Sequence, residues 1–155
     1  MSEPTGLVVC GAAGRMGRLL LAFGSQHPAL RIAGAIEIAG HPSVGRDAGE
    51  LASGPALGVT VQTDLAEVCR REHVVVDFTG APVATVATAT LAADRGAGLV
   101  IGTTGLDAAQ EHAMRAAAAY PAVSAAWAKR SARSTSGSFG YRCASGPRPR
   151  IPLAD

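Results

Sequence analysis

Aromatic residues are scarce in this chain: three Phe, two Tyr and one Trp make up 4% of 155 residues. A core must therefore come from Ala, Val, Leu and Ile, which dominate the 48% hydrophobic content. Such a core suits a parallel sheet covered on both faces by Ala-rich helices. Cysteine is sparse and odd in number. Cys10, Cys69 and Cys143 lie far apart, so neither a disulfide framework nor a zinc site follows, and no metal ligand set is expected. No apolar run approaches the ~20 residues that span a bilayer. Met1 to Gly6 shows neither the basic nor the apolar region of a secretory signal. The expectation is a cytoplasmic protein with reduced thiols and no membrane partner.

Lysine is absent before Lys129. Up to Ala128 there are eight Arg against eleven acids, a net charge of −3, whereas from Lys129 onward six cations face Asp155 alone, a net of +5. The overall +2 hides this change of character. Residues 129–155 are rich in Ser, Pro and Arg and follow neither a helical nor a strand period, so a disordered basic tail is expected there. Such a tail could touch nucleic acid through phosphates, but with only Phe139 and Tyr141 for stacking that function is disfavoured. Residues 1–128 are expected to form one domain.

Within that domain, strand-like runs recur at Leu7–Cys10, Arg31–Glu37, His73–Phe78, Gly98–Ile101 and, more weakly, Ala122–Ala126. Helical segments lie between them at Arg15–Gln26, Leu65–Arg71, Pro82–Arg95 and Leu106–Ala119. Pro82 suits a first helical turn, Asp64 an N-cap and Gly96 a C-terminal stop. Strands alternating with helices predict an α/β fold with a parallel sheet and right-handed crossovers. Gly40 to Gly58 reads as a surface loop holding one short helix at most, the alternative being a cover over one end of a ligand site.

The first strand breaks into Gly11-Ala12-Ala13-Gly14-Arg15-Met16-Gly17. Glycine lets the backbone approach a ligand closely, and the following helix directs its unpaired N–H groups and positive dipole end at that point. A phosphate or pyrophosphate suits the place. The spacing is one residue longer than the usual dinucleotide fingerprint, and a turn that only packs helix on strand is the alternative. Glu37 ends the second strand ~20 residues later, where an acid can accept hydrogen bonds from ribose hydroxyls; a plain surface Glu is the alternative. Ligands of open α/β sheets sit beyond the carboxyl ends of the strands. Two polar motifs fall there, Asp77-Phe78-Thr79-Gly80 and Gly102-Thr103-Thr104-Gly105. Their hydroxyls and glycines could hold a planar ring or a carboxylate, or simply form caps and turns.

The strings GAAGRMGR (Gly11 to Arg18), Gly34-Ala35-Ile36-Glu37, Val76-Asp77-Phe78-Thr79 and Val100-Ile101-Gly102-Thr103-Thr104-Gly105 occur together in this order. Over about Gly6 to Ala126 the chain resembles the N-terminal domain of the 4-hydroxy-tetrahydrodipicolinate reductases, the dihydrodipicolinate reductases of diaminopimelate and lysine biosynthesis. The resemblance implies a Rossmann-like doubly wound parallel sheet followed by an irregular tail. It implies hydride transfer from NADH or NADPH to a cyclic, carboxylate-bearing substrate. By the same resemblance Gly11, Ala12, Ala13, Gly14, Arg15 and Met16 wrap the pyrophosphate and Glu37 holds the adenosine ribose. Phe78, Thr79, Gly102 and Thr103 flank the nicotinamide, Thr104 reaches toward the substrate, and Ala126 opens a further cofactor-contacting stretch. Ile38 stands where many relatives carry a basic residue, so NADH is expected over NADPH.

The chain departs from the family after Ala126. Trp127-Ala128-Lys129-Arg130-Ser131 replaces the family's Asn-containing stretch, and its His-His-x-His-Lys and Ser-Gly-Thr motifs are missing. His27, His41, His73 and His112 match none of them and read as helix, loop or strand-end residues, so no catalytic residue is assigned. A frame-shifted or truncated continuation is expected. The alternatives are a non-catalytic cofactor-binding fragment and another Rossmann dehydrogenase. The family's tetramer forms through the missing domain, so a monomer or an aggregation-prone fragment is expected. A small dicarboxylate partner is expected only where a substrate domain is present.

Overall fold

A computed structural model describes residues 3–118, 125–128 and 141–144. β1 (Thr5–Cys10) leads into α1 (Arg15–Gln26), β2 (Leu30–Ile36), the short α2 (Ala48–Leu51) and β3 (Val61–Gln62). Then follow α3 (Leu65–Val68), β4 (His73–Asp77), α4 (Pro82–Arg95), β5 (Gly98–Ile101), α5 (Ala108–Ala118), β6 (Ala125–Ala128) and β7 (Tyr141–Ala144). The sheet order is β3-β2-β1-β4-β5-β6-β7. β1 to β6 run parallel and β7 joins β6 antiparallel. The expected doubly wound α/β sheet is therefore present, with its switch point between β1 and β4.

Successive β1 side chains divide between the two faces, as strand geometry requires. Leu7 and Val9 join Leu21, Ile32, Leu51, Val61 and Val76 on one side. Val8 and Cys10 join Val75, Leu99, Ile101, Met114 and the alanines of α4 on the other. Ala89, Ala92, Ala93 and Ala97 are all buried, and their small side chains let α4 and the turn after it lie close on the sheet. α4 begins with Pro82 and stops at Gly96, which takes φ +67°, a left-handed conformation costly for any residue with a Cβ.

Several boundaries differ from expectation for local reasons. α3 ends at Val68 rather than Arg71. Cys69 is extended there, and Arg70 turns back to donate to the carbonyls of Glu67 and Cys69. α5 starts at Ala108 rather than Leu106. Asp107 accepts from the Gln110 N–H at 2.8 Å while the Gln110 side chain accepts from the Asp107 N–H at 2.9 Å, a reciprocal cap. The expected end at Ala119 lies outside the described residues. β3, only two residues long, was not anticipated. The 40–58 segment holds the one short helix expected, capped by Asp47, whose carboxylate accepts from the N–H groups of Gly49, Leu57 and Gly58. These bonds hold the Asp47 carboxyl below its ordinary range. β7 forms inside the 129–155 stretch expected to be irregular; the rest of that stretch lies outside the described residues.

Leu21 is fully buried and pins α1 to the sheet. Leu21→Ala should cost about 2–5 kcal/mol in a urea melt, from lost burial and the cavity left behind. A loss below about 1 kcal/mol would show that α1 collapses into the vacated space.

Candidate functional site

The carboxyl end of β1 is closed almost entirely by backbone. The N–H groups of Gly11 and Ala12 both donate to the Ile36 carbonyl, at 2.9 and 3.1 Å, so the turn is fastened to the end of β2. Gly11 takes φ +76°. A Cβ at Gly17 would overlap the Gly11 carbonyl oxygen, so α1 can start this close to the turn only with glycine there. The N-cap is Gly14, which offers no side chain to the first-turn N–H groups, and that turn carries no acid. The result is an open helix N-terminus facing the end of the sheet, suited to an anion.

Glu37 completes the turn. Its carboxylate accepts from the Ala13 N–H at 3.0 Å through one oxygen and from the Ile38 N–H at 2.9 Å through the other. Each oxygen keeps lone-pair capacity for a further donor. Arg18 reinforces the same turn by donating from Nε to the Ala13 carbonyl at 2.9 Å.

A cleft of about 550 Å³ opens here. The glycine turn lines one wall, with Ile36, Glu37, Ile38 and His41 beyond it. Thr63 and Leu65 follow β3, and Ala81, Ala84, Ala87 and Thr88 come from α4 and its approach. Cys10, Phe78 and Thr79 complete the lining. Among the described residues no Lys or Arg lines it. Cys10 lies beneath, and burial together with the Asp77 charge pushes its thiol up to about 12.

The second wall is built around Asp77, the last residue of β4. It is fully buried, and its Oδ1 accepts from the Thr79 N–H (2.9 Å), the Thr79 hydroxyl (2.8 Å) and the Thr103 hydroxyl (3.3 Å). Thr103 is 1% exposed and its oxygen also accepts from the Gly80 N–H at 3.2 Å. The Gly102 N–H donates to the Asp77 carbonyl at 2.8 Å. A Cβ at Gly102 would overlap the Phe78 ring, so the two loops press face to face.

Of the residues expected at a site, Gly11, Ala13, Gly14, Glu37, Phe78 and Thr79 meet in the cleft. Ala12 is buried beneath the turn, and Arg15 and Met16 are exposed on the first turn of α1. Gly102, Thr103 and Thr104 sit on the neighbouring β5 loop outside the cleft lining, with Thr104 exposed. Ala126 pairs with Val100 in the sheet. His41, Thr63, Leu65, Ala84, Ala87 and Thr88 were not anticipated, nor was Asp77 as a hub. An α4 face of small residues at helical spacing was the one available signal. Of the histidines, His73 is buried, accepting from Arg31 and donating to the Val68 carbonyl at 2.9 Å. Among the described residues no group of His, Cys, Asp and Glu could hold a metal, and no helix is long and apolar enough to cross a membrane.

The strand order, the glycine turn at the switch point and the acid ending β2 define a Rossmann-like α/β domain. The family model for dihydrodipicolinate reductase, N-terminus, matches residues 5–130, and the chain belongs to that family. Its N-terminal domain is the NAD(P)-binding one, so the cofactor is a nicotinamide dinucleotide. The 4-hydroxy-tetrahydrodipicolinate reductase of Ruegeria pomeroyi is 42% identical over 123 residues, 79% of this chain and 45% of the relative. That of Cereibacter sphaeroides strain KD131 is 48% identical over 109 residues, 70% of this chain and 40% of the relative. That of Sinorhizobium medicae is 47% identical over 117 residues, 76% and 43%. The chain thus spans less than half the length of these relatives. A dipicolinate-bound dihydrodipicolinate reductase from Paenisporosarcina sp. TG-14 shares the fold, with a TM-score of 0.57, 19% identity and coverage of 75% of this chain and 43% of that one.

A thiol titrating near 12 is ionised in about one molecule in ten thousand at pH 8, and the thiolate is the reactive form. In a variant carrying Cys69→Ala and Cys143→Ala, Cys10 should react with Ellman's reagent only after urea unfolding. Rapid labelling of the native variant would contradict the placement of this thiol.

Proposed function

We propose that this domain is the cofactor half of a 4-hydroxy-tetrahydrodipicolinate reductase and that it prefers NADH. The observation that carries the proposal is the pairing of the uncapped α1 N-terminus with the twice-bonded Glu37 carboxylate across one cleft. The residues fit such a group: Gly14 leaves the first-turn N–H groups uncapped, and the glycines keep the turn clear of Cβ atoms. When bound, the cofactor supplies the hydride, while protein groups contribute positioning and electrostatics.

The backbone of Gly11 to Met16 holds the pyrophosphate, with the dipole of α1 favouring its negative charge. Glu37 accepts from the ribose hydroxyls through its remaining lone pairs. Phe78, Thr79, Gly102 and Thr103 bound the nicotinamide, Thr104 faces the substrate, and the β6 backbone from Ala126 extends the same wall. The NADH preference is supported by the Glu37 charge and by Ile38, 73% exposed and apolar, where a cation could otherwise stand. A 2′-phosphate would meet a carboxylate with no Lys or Arg among the described residues of the cleft lining to offset the repulsion.

The relatives are named for 4-hydroxy-tetrahydrodipicolinate, and the substrate proposed for the whole protein is of that class, a cyclic dicarboxylate. None of the four histidines stands in a stretch resembling the family's proton-donating motif. We infer that this domain by itself binds NADH without oxidising it.

Fluorescence titration of the purified chain should give NADH a dissociation constant about tenfold or more below that of NADPH. Glu37→Ala should weaken NADH about tenfold to a hundredfold, the usual effect of losing hydrogen bonds to a charged group. Tighter NADPH binding would overturn the preference. Absence of binding to either would overturn the cofactor assignment. Substrate-dependent NADH oxidation by this chain would overturn the inference of binding without turnover.

A further inference from the structure

Asp77 lies outside the set of groups proposed to touch the cofactor, yet its buried carboxylate ties together two loops at the carboxyl end of the sheet. Burying a carboxylate is expensive unless donors surround it. Three donors converge on Oδ1, two from Thr79 and one from Thr103. Oδ2 has no hydrogen-bond partner. The arrangement is therefore not a fully satisfied structural carboxylate.

The donors come from two different loops. Thr79 begins the loop between β4 and α4, and Thr103 lies in the loop between β5 and α5. Thr103 links them a second time, since its oxygen accepts from the Gly80 N–H while its proton goes to Asp77. The backbone bond from Gly102 to the Asp77 carbonyl adds a third tie. This lattice presses Gly102 against the Phe78 ring. It also sets Thr79 against the glycine turn, where a Cβ on Gly11 would lie 3.2 Å from the Thr79 Cα. The spacing between the anion cradle and the second wall thus follows from one carboxylate oxygen.

We propose that Asp77 is a positioning residue for the nicotinamide half of the cofactor site, acting through Thr79 and Thr103 and not by touching the cofactor. The adenosine half, built on Glu37, Ile38, His41 and Thr63, does not depend on it. The proposal rests on the cofactor reading above. It separates the two halves of the site energetically: an Asp77 change acts on ligands that carry the nicotinamide and leaves those that lack it alone.

The test compares NADH with ADP-ribose, which has the same pyrophosphate and adenosine but no nicotinamide, on the full chain. Asp77→Leu and Thr103→Val should each weaken NADH roughly tenfold, the scale of losing charge-assisted bonds that order two loops. Both should leave ADP-ribose within about twofold. Asp77→Asn keeps an acceptor at Oδ1 and should recover most of the NADH affinity. The fluorescence gain of bound NADH should fall in Asp77→Leu and return in Asp77→Asn. Should Asp77→Leu fail to fold, Thr103→Val and Asp77→Asn decide the question alone, since each retains the shape of the native side chain. Equal weakening of NADH and ADP-ribose would overturn the proposal and reduce Asp77 to a fold-stabilising role. Unchanged NADH affinity in Thr103→Val would overturn it as well. If the native chain binds neither ligand, the cofactor reading falls and this proposal with it. If the native chain binds both and only the selectivity is missing, the cofactor reading stands and this proposal alone fails.

Discussion

The contact of α1 with the turn before it is backbone against backbone, and the rest of the site depends on it. Gly17 packs where any Cβ would overlap the Gly11 carbonyl, and Gly11 itself takes a left-handed φ. The turn cannot drift, because Gly11 and Ala12 donate to the Ile36 carbonyl and Ala13 donates to Glu37. The first helical turn, the end of β2 and the glycine loop therefore move as one body. The position of the uncapped N–H groups follows, as does the position of the cleft. A side chain at Gly17 would not merely crowd the site but displace the helix that forms it, at a cost of about 1–3 kcal/mol or more.

Two carboxylates stand near a place suited to an anionic ligand, and this looks electrostatically perverse. The magnitudes resolve it. The helix end carries roughly half a positive charge, effective within its first turn. Glu37 is only partly buried and shares its charge with two backbone N–H groups, so its reach toward the pyrophosphate is blunted while its acceptor capacity toward hydroxyls remains. Asp77 is buried outright and spends its charge on threonine hydroxyls and a backbone N–H. Its field adds to the burial that keeps the neighbouring Cys10 thiol protonated.

How much of this could be read from residues alone depended on the range of the interactions. The β-α-β alternation and the glycine turn after the first strand are local patterns, and both stand in the structure as read. Pro82 and Gly96 bound α4 for the reasons their backbone chemistry supplies. β3 escaped detection because two residues carry no period; it forms only because β2 offers an edge. The start of α5 was legible in principle, since Asp107 and Gln110 stand at capping-box spacing. The α4 wall of the cleft has a helical period, but alanines at that spacing signify packing as readily as a ligand face. Asp77 is the instructive case. Its motif was marked as a strand end, yet its role arises from the pairing of β4 with β5, which joins residues 26 apart in sequence. The Thr103 hydroxyl is committed to that buried lattice, a bond that its place in the strand-end motif did not announce.

Preorganisation links these observations. A ligand entering a mobile loop must supply the free energy that orders it, and that cost is subtracted from its affinity. Here the acceptor for the ribose is held in place before any ligand arrives, because the Ala13 and Ile38 N–H groups fix the Glu37 carboxylate from two sides. Those bonds occupy one lone pair on each oxygen, so further donors add to them without breaking them. The opposite wall is ordered by the Asp77 lattice in the same manner. Both walls are thus set by bonds made within the protein. A change that spares every ligand-facing atom can therefore still weaken binding, by freeing a wall that the ligand would then have to order.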